Sequence, residues 1–371
     1  MTRLFLFGTL RWPSLLAAVA GREIASEPAT LDRWHVERAA AGDWPVLVSG
    51  GRTEGLLTEP LDGPARERLD WYEVAFGYGP EAVEVETVAG PVTAACYRAP
   101  AGGCGEDWDL DAWIARHGER TRIASAEILR AKGKATPDDL AMLRPIIHAR
   151  AHGVATARAH GRPATFGGGD RAASVTVSGV DYPYEGFHRV EEWQIDHPRF
   201  DGGRSGSIRR AVSHTTDAAT ILPYDPVRDR VLLVEQIRLG PLAKGDPQPW
   251  MLEPVAGLID AGETAEATAL RELREEAGLE AGADALRFVA RYYPSPGGIA
   301  QVFHSYVAIC DLPDGSAGMG GLAEEGEDIR GHLVPFDDLL AMLDSGEAAN
   351  AALILSAQWI ALRHGTIRLN G

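Results

Sequence analysis

Apolar and polar positions follow a pattern that separates two strand-rich regions of the chain from a helical region between them. From about residue 108 to residue 160, apolar residues recur at helical spacing in a segment rich in Ala, Arg and His. The glycine-rich residues 161–169 are typical of a linker. Before the helical region, short apolar runs broken by Gly and Pro predict strands at residues 3–7, 46–49, 53–57, 82–88 and 92–97.

A second strand-rich region begins near residue 172. Its pattern predicts strands at residues 230–237, 286–293 and 304–309, and helices at residues 264–277 and near 350–364. The order of elements therefore predicts a two-domain α+β protein with helices between the domains.

Composition limits the class of protein. The 371 residues suffice for two or three domains of about 100–200 residues each. The content of 45% hydrophobic and 24% charged residues excludes a wholly disordered, collagen-like or membrane-embedded chain. Lys and Arg number 36 against 53 Asp and Glu, and the net charge of −17 argues against general binding of nucleic acid or anionic membrane. A local basic pocket for a small phosphate ligand stays open.

Cysteine usage and the lengths of apolar runs indicate the compartment. Cys96, Cys104 and Cys310 are scattered, so neither a zinc cluster nor a disulfide framework is indicated, and we expect a reducing, cytoplasmic location. Arg11 and Pro13 interrupt the first apolar run, which argues against a signal peptide. No apolar run approaches the roughly 20 residues that span a bilayer.

Residues 257–279 carry the strongest chemical signal. Gly257 and Gly262 permit a loop before a helix, and Gly278 is a natural end for that helix. Between them, an apolar stripe at helical spacing predicts one buried face, formed by Ala267, Leu270, Leu273 and Ala277.

Three carboxylates share another face of this predicted helix. Glu272, Glu275 and Glu276 stand at positions i, i+3 and i+4, where like charges repel one another. A divalent cation would reverse that repulsion, because Mg²⁺ prefers carboxylate and phosphate oxygens. On spacing alone, a solvated acidic face neutralised by Arg271 and Arg274 is an equal alternative.

The segment resembles the Nudix hydrolase box at every defined position, from Gly257 to the final run at residues 271–279. The resemblance implies an α/β/α sandwich that hydrolyses nucleoside diphosphates linked to another moiety. It implies Glu272 and Glu276 as the principal ligands of Mg²⁺, with Mn²⁺ as an alternative and with Glu275 helping. It also places Glu276 among the catalytic residues.

The flanks of the box resemble the ADP-ribose pyrophosphatases over about residues 184–363. This resemblance implies that ADP-ribose and water give AMP and ribose 5-phosphate. It also implies a homodimer that pairs through residues 184–200. The alternatives are hydrolysis of another nucleoside diphosphate sugar, or a non-catalytic sensor of ADP-ribose or γ-glutamyl metabolites. The segments that carry the resemblance are residues 209–212, 222–225, 235–238, 250–257, 293–298 and 324–330.

The same resemblance implies roles for single residues. The backbone carbonyl of Ala256 would contact a metal, Arg210 and Arg238 would contact the ligand, and Phe187 would stack near the adenine. Core packing of the aromatic ring and ion pairs at strand edges are the alternative interpretations.

An acidic loop after the last core strand is implied to supply the general base and a further metal contact. These roles map to Glu325 and Glu327, with Glu324 as a competitor for the base. Gln301 stands where relatives commonly have a glutamate.

The N-terminal region resembles the gamma-glutamylcyclotransferase (AIG2-like) family over about residues 1–105, through residues 5–11 and 69–73. The resemblance implies a small β-barrel with helices. We therefore expect a cyclotransferase-like domain at residues 1–105, a helical bridge and linker at 106–170, and a Nudix domain at 171–371.

The cyclotransferase resemblance implies a second site. A turn at Gly8, Thr9 and Leu10 would present backbone N–H groups to the substrate carboxylate. Glu73 would move the proton as the substrate amine attacks its own γ-carbonyl and releases 5-oxoproline. Phe7 stands where the family usually has Tyr. The alternatives are a tight turn at Gly8 and a surface carboxylate at Glu73.

Overall fold

The computed structural model describes residues 2–99, 102–161, 165–166, 172–322 and 326–370, without the side chains of the last two. It forms two compact units. The first contains residues 1–164 together with 185–187, and the second contains 165–184 together with 188–371. None of the helices within these described ranges is both long and apolar enough to cross a membrane.

The first unit combines a six-stranded sheet with helices. A 3-10 turn at Thr9–Arg11 follows the first strand, and a π-helical turn at Ile114–Gly118 separates two of the helices. The strands are β1 (Phe5–Leu6), β2 (Ser26–Ala39), β3 (Pro45–Thr58), β4 (Gly79–Thr87), β5 (Gly90–Arg98) and β6 (Gly103–Asp107). The helices are α1 (Pro13–Ala20), α2 (Gly63–Val74), α3 (Leu110–Trp113), α4 (Glu119–Arg130) and α5 (Pro137–Ala159).

The strands of this sheet run in the order β1-β3-β2-β4-β5, with β6 also paired to β2. The sequence pattern missed β2 entirely and predicted two strands where β3 is continuous. An isolated parallel bridge between Leu4 and Ala95 connects the two ends of the sheet at one position. The strand pairings of the described residues do not amount to a closed barrel, so the barrel stays a prediction.

Helices α1, α2, α4 and α5 pack around a common apolar core inside the first unit. Leu15, Leu69, Ile128 and Leu140 from these helices are fully buried in one cluster. The helices of the expected bridge therefore share the core of the first unit, rather than forming a separate connector. The predicted boundary followed a change of composition near residue 105. A local pattern shows that a helix has an apolar face, but it does not show which element that face packs against.

The second unit contains two sheets. Its strands are β7 (Thr176–Glu185), β8 (Arg189–Asp196), β9 (Ile208–His214), β10 (Ala218–Asp225), β11 (Arg230–Ile237), β12 (Trp250–Glu253), β13 (Val255–Leu258), β14 (Leu286–Tyr292), β15 (Ile299–Ala300), β16 (Phe303–Ile309), β17 (Met319–Gly320) and β18 (Ile329–Pro335). Its helices are α6 (Leu239–Lys244), α7 (Ala265–Ala277), α8 (Phe336–Ser345), α9 (Ala351–Ala361) and α10 (His364–Asn370).

The larger sheet has the order β14-β16-β10-β11-β18-β17, with β12 on β11 and β13 on β10. Alternation along β11 separates two cores, because successive side chains of a strand point to opposite faces. Leu232 and Val234 pack in the core that includes residues of α7, whereas Val231 and Leu233 pack with residues of α8 and α9. Helices therefore cover both faces of this sheet. A smaller sheet has the order β15-β9-β8-β7.

Candidate functional site

Local sequence sets both ends of α7, the helix that carries the three glutamates. The side chain of Thr264 accepts a hydrogen bond from the backbone N–H of Ala267 at 3.2 Å, which caps the N-terminus. Gly278 adopts φ +64° and ends the helix in the left-handed region. The buried face differs from the expected stripe: Ala267 is exposed, and Ala269 is buried with Leu273.

Glu276 is the most deeply buried of the three carboxylates, at 3% exposure. Its Oε2 accepts a hydrogen bond from the backbone N–H of Ala256 at 3.1 Å. Burial, with the nearby negative charges of Glu272 and Glu327, raises the pKa of Glu276 to about 8. Burial also raises the pKa of Glu272, even though Arg271 opposes that change.

Arg271 gathers the other carboxylates around one guanidinium. Its Nη1 donates to Glu272 at 2.6 Å and to Glu275 at 2.9 Å, and its Nε donates to Glu263 at 3.2 Å. Arg274 is exposed on the same helix. Neutralisation by arginine, one of the two interpretations from spacing, therefore applies to Glu272 and Glu275 through Arg271.

Two glycines leave space that this cluster uses. A Cβ on Gly257 would lie 1.8 Å from Oε1 of Glu272, and a Cβ on Gly320 would lie 1.8 Å from the carbonyl oxygen of Glu276. Both separations are far below van der Waals contact. The glycine at the start of the sequence motif is therefore explained by the carboxylate packed against it.

The acidic loop contributes one described residue to this region. The carboxylate of Glu327 accepts a hydrogen bond from the backbone N–H of Leu322 at 3.1 Å. Its negative charge contributes to the raised pKa of both Glu272 and Glu276. Glu324 and Glu325 lie outside the described residues. Within the described part of the chain, no three His, Cys, Asp or Glu side chains are already arranged as a metal-binding group, so a cation would have to draw the carboxylates of this cluster together.

Arg238 acts electrostatically on the cluster. Its positive charge opposes the effect of burial and lowers the pKa of Glu276. Its Nε donates to the buried carboxylate of Glu253 at 2.7 Å. Asn350 donates to the other oxygen of Glu253 at 2.9 Å. Sequence reasoning missed these two partners, although Glu253 lies in the segment 250–257 that already carried the family resemblance.

Two other expected ligand contacts belong to the smaller sheet and its connections. Arg210 is exposed on β9, in the smaller sheet, and its Nη1 donates to the carbonyl of Arg209 at 2.8 Å. Phe187 lies between β7 and β8 with 56% of its surface exposed, and its carbonyl accepts from Arg150 at 2.7 Å. The side chain of Gln301 donates to the carbonyl of Thr216 at 2.8 Å.

The first unit contains a cavity of about 430 Å³ that brings its expected site residues together. Gly8, Thr9, Leu10 and Glu73 all line it, as does Phe7. A Cβ on Gly8 would lie 2.5 Å from Cγ of Pro45, a contact too close for any other residue without movement.

Glu73 is buried in this cavity at 8% exposure, rather than lying on the surface. Burial, with a smaller effect of Asp70, raises its pKa to about 8. A carboxyl group that titrates near neutral pH in a cavity is suited to proton transfer.

Another part of the lining was not foreseen. His117, Arg120, Arg144 and His148 line the same cavity, and all four come from the helical region to which the sequence assigned no chemistry. The richness of that region in Arg and His was the available signal, but it does not indicate which side chains face inward.

Comparison with known proteins finds relatives of both parts of the chain. An ADP-ribose pyrophosphatase of Escherichia coli (strain K12) is 38% identical over 206 residues, which cover 56% of this chain and 95% of that protein. A NUDIX domain model matches residues 214–355. The chain belongs to the Nudix family. A second model, gamma-glutamyl cyclotransferase, AIG2-like, matches residues 4–115.

Two further relatives resemble the Nudix part of the chain. An ADP-ribose pyrophosphatase of Haemophilus influenzae is 34% identical over 196 residues, covering 52% of this chain and 89% of that protein. A GDP-mannose pyrophosphatase of Shigella flexneri serotype 5b is 30% identical over 156 residues, covering 42% of this chain and 79% of that protein. The expected family assignments at both ends of the chain are therefore confirmed.

Proposed function

We propose that the Nudix domain of this chain hydrolyses the pyrophosphate of ADP-ribose to AMP and ribose 5-phosphate. The observation that carries the proposal is the carboxylate cluster of Glu272 and the buried Glu276 beside Arg238, in a chain with relatives named ADP-ribose pyrophosphatase. A pyrophosphate ester concentrates negative charge, so a site that cleaves it needs cationic partners for its oxygens.

We infer that Mg²⁺, or Mn²⁺, is the metal. The donors suit it, since carboxylate oxygens are the ligands that Mg²⁺ prefers, and Gly257 leaves the space beside Glu272 that a side chain would fill. Glu272, Glu276, Glu327 and the carbonyl of Ala256 would hold the cation, with Glu275 helping. When bound, it would supply charge stabilisation at the phosphoryl oxygens.

Protein residues would complete the site. Arg238, oriented by Glu253, would bind the diphosphate, and Arg210 and Phe187 would contact the remainder of the ligand. Glu325 would remove the proton from the attacking water.

The exposed Tyr184 and Phe200 support the proposal that residues 184–200 pair two copies of the chain, because large exposed apolar side chains favour an interface. Light scattering should then give a dimer at micromolar concentration. A cytoplasmic location is part of the same proposal.

The decisive test is AMP release from ADP-ribose and Mg²⁺ by wild type and Glu276→Gln. The substitution keeps the shape and removes one carboxylate that would bind the metal, and we expect a loss of about 100-fold or more, equivalent to ~2.7 kcal/mol in the barrier. Glu280→Gln is the matched control, because Glu280 is an exposed carboxylate just beyond the helix. An inactive wild type would refute the proposed activity, and tight ADP-ribose binding without AMP would indicate a sensor.

A second candidate is hydrolysis of another nucleoside diphosphate sugar. The similarity to a GDP-mannose pyrophosphatase favours testing it. ADP-ribose, ADP-glucose and GDP-mannose should be compared side by side. A preference above about 10-fold for a non-ribosyl sugar, or ~1.4 kcal/mol of barrier, would overturn the choice of substrate.

For the first unit, we propose gamma-glutamyl cyclotransferase activity on a fold in which the Leu4–Ala95 bridge closes the sheet into a small barrel. The amine nitrogen of the substrate would attack its own γ-carbonyl, and the bond from that carbonyl to the leaving amine would break. Glu73 would accept the proton of the attacking amine and return it to the leaving amine. Its pKa of about 8 supports this role, because an α-amino group titrates in the same range.

Release of 5-oxoproline from a γ-glutamyl compound tests this second activity. We expect Glu73→Gln to abolish it and Glu67→Gln to leave it intact, because Glu67 lies on the same helix but is exposed and paired with Lys132 at 2.7 Å. Wild type that releases no 5-oxoproline would contradict the proposal.

A further inference from the structure

One wall of the cavity in the first unit is built by helices beyond the segment that matches the cyclotransferase model. That match ends at residue 115, whereas His117, Arg120, Arg144 and His148 follow it in sequence. The π-helical turn at Ile114–Gly118 contains His117 and leads directly into α4, which carries Arg120. These four lining residues therefore lie outside the matched segment.

Arg120 lies in this wall without a carboxylate partner among the described residues. Its Nη2 donates to Nδ1 of His117 at 2.8 Å. Because His117 accepts at Nδ1, its other nitrogen carries the hydrogen and donates to Asp43 at 2.8 Å. The Nε of Arg120 is buried and makes no hydrogen bond in the described structure.

The neighbours of Arg120 add positive charge and one more buried nitrogen that makes no hydrogen bond in the described structure. The guanidinium of Arg144 lies over the ring of Phe76 at 5.4 Å and donates to the carbonyl of Ala75 at 3.1 Å. Nε2 of His148 is buried and also makes no hydrogen bond in the described structure. Burial and the adjacent arginines lower the pKa of His148 to about 4, so its imidazole is neutral at pH 7.

A partly buried guanidinium without a carboxylate partner is costly, and burial lowers the pKa of Arg120 for the same reason. An anion from a ligand would remove this cost. A planar carboxylate matches the guanidinium fork, and the neutral imidazole of His148 offers a further partner. A cavity of about 430 Å³ has room for a small molecule with such a group.

We propose that Arg120 and His148 form a carboxylate-binding subsite in this cavity, which would hold a carboxylate carried by the leaving amine of a γ-glutamyl compound. Glu73 and the Gly8–Leu10 turn line the same cavity and would take the glutamyl end. The choice of ligand rests on the proposed cyclotransferase function, whereas the anion subsite rests on the guanidinium of Arg120, which has no carboxylate partner among the described residues.

The test compares two probes that differ in one charge, γ-glutamyl-alanine and γ-glutamyl-alaninamide. Their binding to the full chain is measured by titration calorimetry at pH 7. We expect wild type to bind the acid about 10-fold or more tightly than the amide. Arg120→Gln should remove that preference, and Arg120→Lys should restore part of it because the charge returns without the fork.

Arg122→Gln is the matched control, since Arg122 is on the same helix but pairs with Glu119 at 2.8 Å outside the cavity lining. It should keep the wild-type preference. Thermal melting of each variant separates a folding defect from a lost contact, and the comparison of the two probes on wild type needs no variant.

Equal affinity of wild type for the two probes, or binding of neither, would overturn the subsite. Loss of the preference in Arg122→Gln as large as in Arg120→Gln would do the same. The cyclotransferase proposal fails separately: charge-selective binding without release of 5-oxoproline would refute that activity and leave the subsite. Equal release from both probes would support the activity and refute the subsite.

Discussion

Replacing Glu73 with Gln should make the stability of the first unit less dependent on pH. The carboxyl group is buried, and its pKa rises from an ordinary value of 4.5 to about 8. The folded chain therefore binds this proton more tightly than the unfolded chain does. By linkage, the contribution of Glu73 to stability is fully present below pH 4.5 and is lost as the pH rises to about 8.

The size of the effect follows from the two pKa values. Each pH unit between them changes the free energy of unfolding by about 1.4 kcal/mol. Between pH 5 and pH 8, wild type should lose about 4 kcal/mol that Glu73→Gln retains. The buried amide costs about 1–3 kcal/mol if it lacks partners, but this cost does not vary with pH. The slope with pH is therefore the signature, rather than the stability at one pH.

Differential scanning calorimetry of the full chain at pH 5, 6.5 and 8 measures this slope. We expect the melting temperature of Glu73→Gln, relative to wild type, to increase steadily with pH. Glu67→Gln, the exposed carboxylate on the same helix, should give a constant difference. A difference between Glu73→Gln and wild type that stays constant from pH 5 to pH 8 would refute the argument that burial holds the proton on Glu73.

Three further predictions concern single side chains. Gly257→Ala should lower ADP-ribose hydrolysis about 10-fold or more, because its Cβ would overlap a cluster carboxylate, whereas Gly240→Ala, with open space at its Cβ, should have no effect on the rate. Arg238→Gln should raise KM for ADP-ribose about 10-fold, and unchanged kinetics would remove it from the site. Arg150→Met should destabilise the chain by about 3–5 kcal/mol in urea unfolding, since it removes the buried guanidinium that pairs with the carboxylate of Glu127, whereas the exposed Arg158→Met should cost under ~1 kcal/mol; equal costs would contradict this account.

Local sequence predicted the elements that carry the chemistry of the second unit. The helix at residues 264–277 corresponds to α7, and its cap residues, Thr264 and Gly278, act through their own neighbours. Such elements are readable because capping and helical spacing depend on residues within a turn or two. The exact buried face was less predictable, since Ala267 is exposed while Ala269 packs in the core.

The strands of the first unit were less readable. The long strand β2 was missed, because its charged and polar residues lack the apolar alternation that signals a strand. Its existence depends on pairing along β3, from Ser26 opposite Thr58 to Arg38 opposite Pro45. Hydrogen bonds of this kind connect residues distant in sequence, so local pattern alone does not reveal them.

The sequence by itself determined the family at each end of the chain and the residues of the Nudix box, because a motif of fixed spacing is a local property. Tertiary structure decided which charges share one environment. It buried Glu276, which accepts a hydrogen bond from the backbone of Ala256, and it brought three glutamates to Arg271. It also placed Arg120 and His148 in the lining of the cavity that contains Glu73. Burial and electrostatic coupling depend on distances across the fold, and these distances are set by packing between elements far apart in the chain.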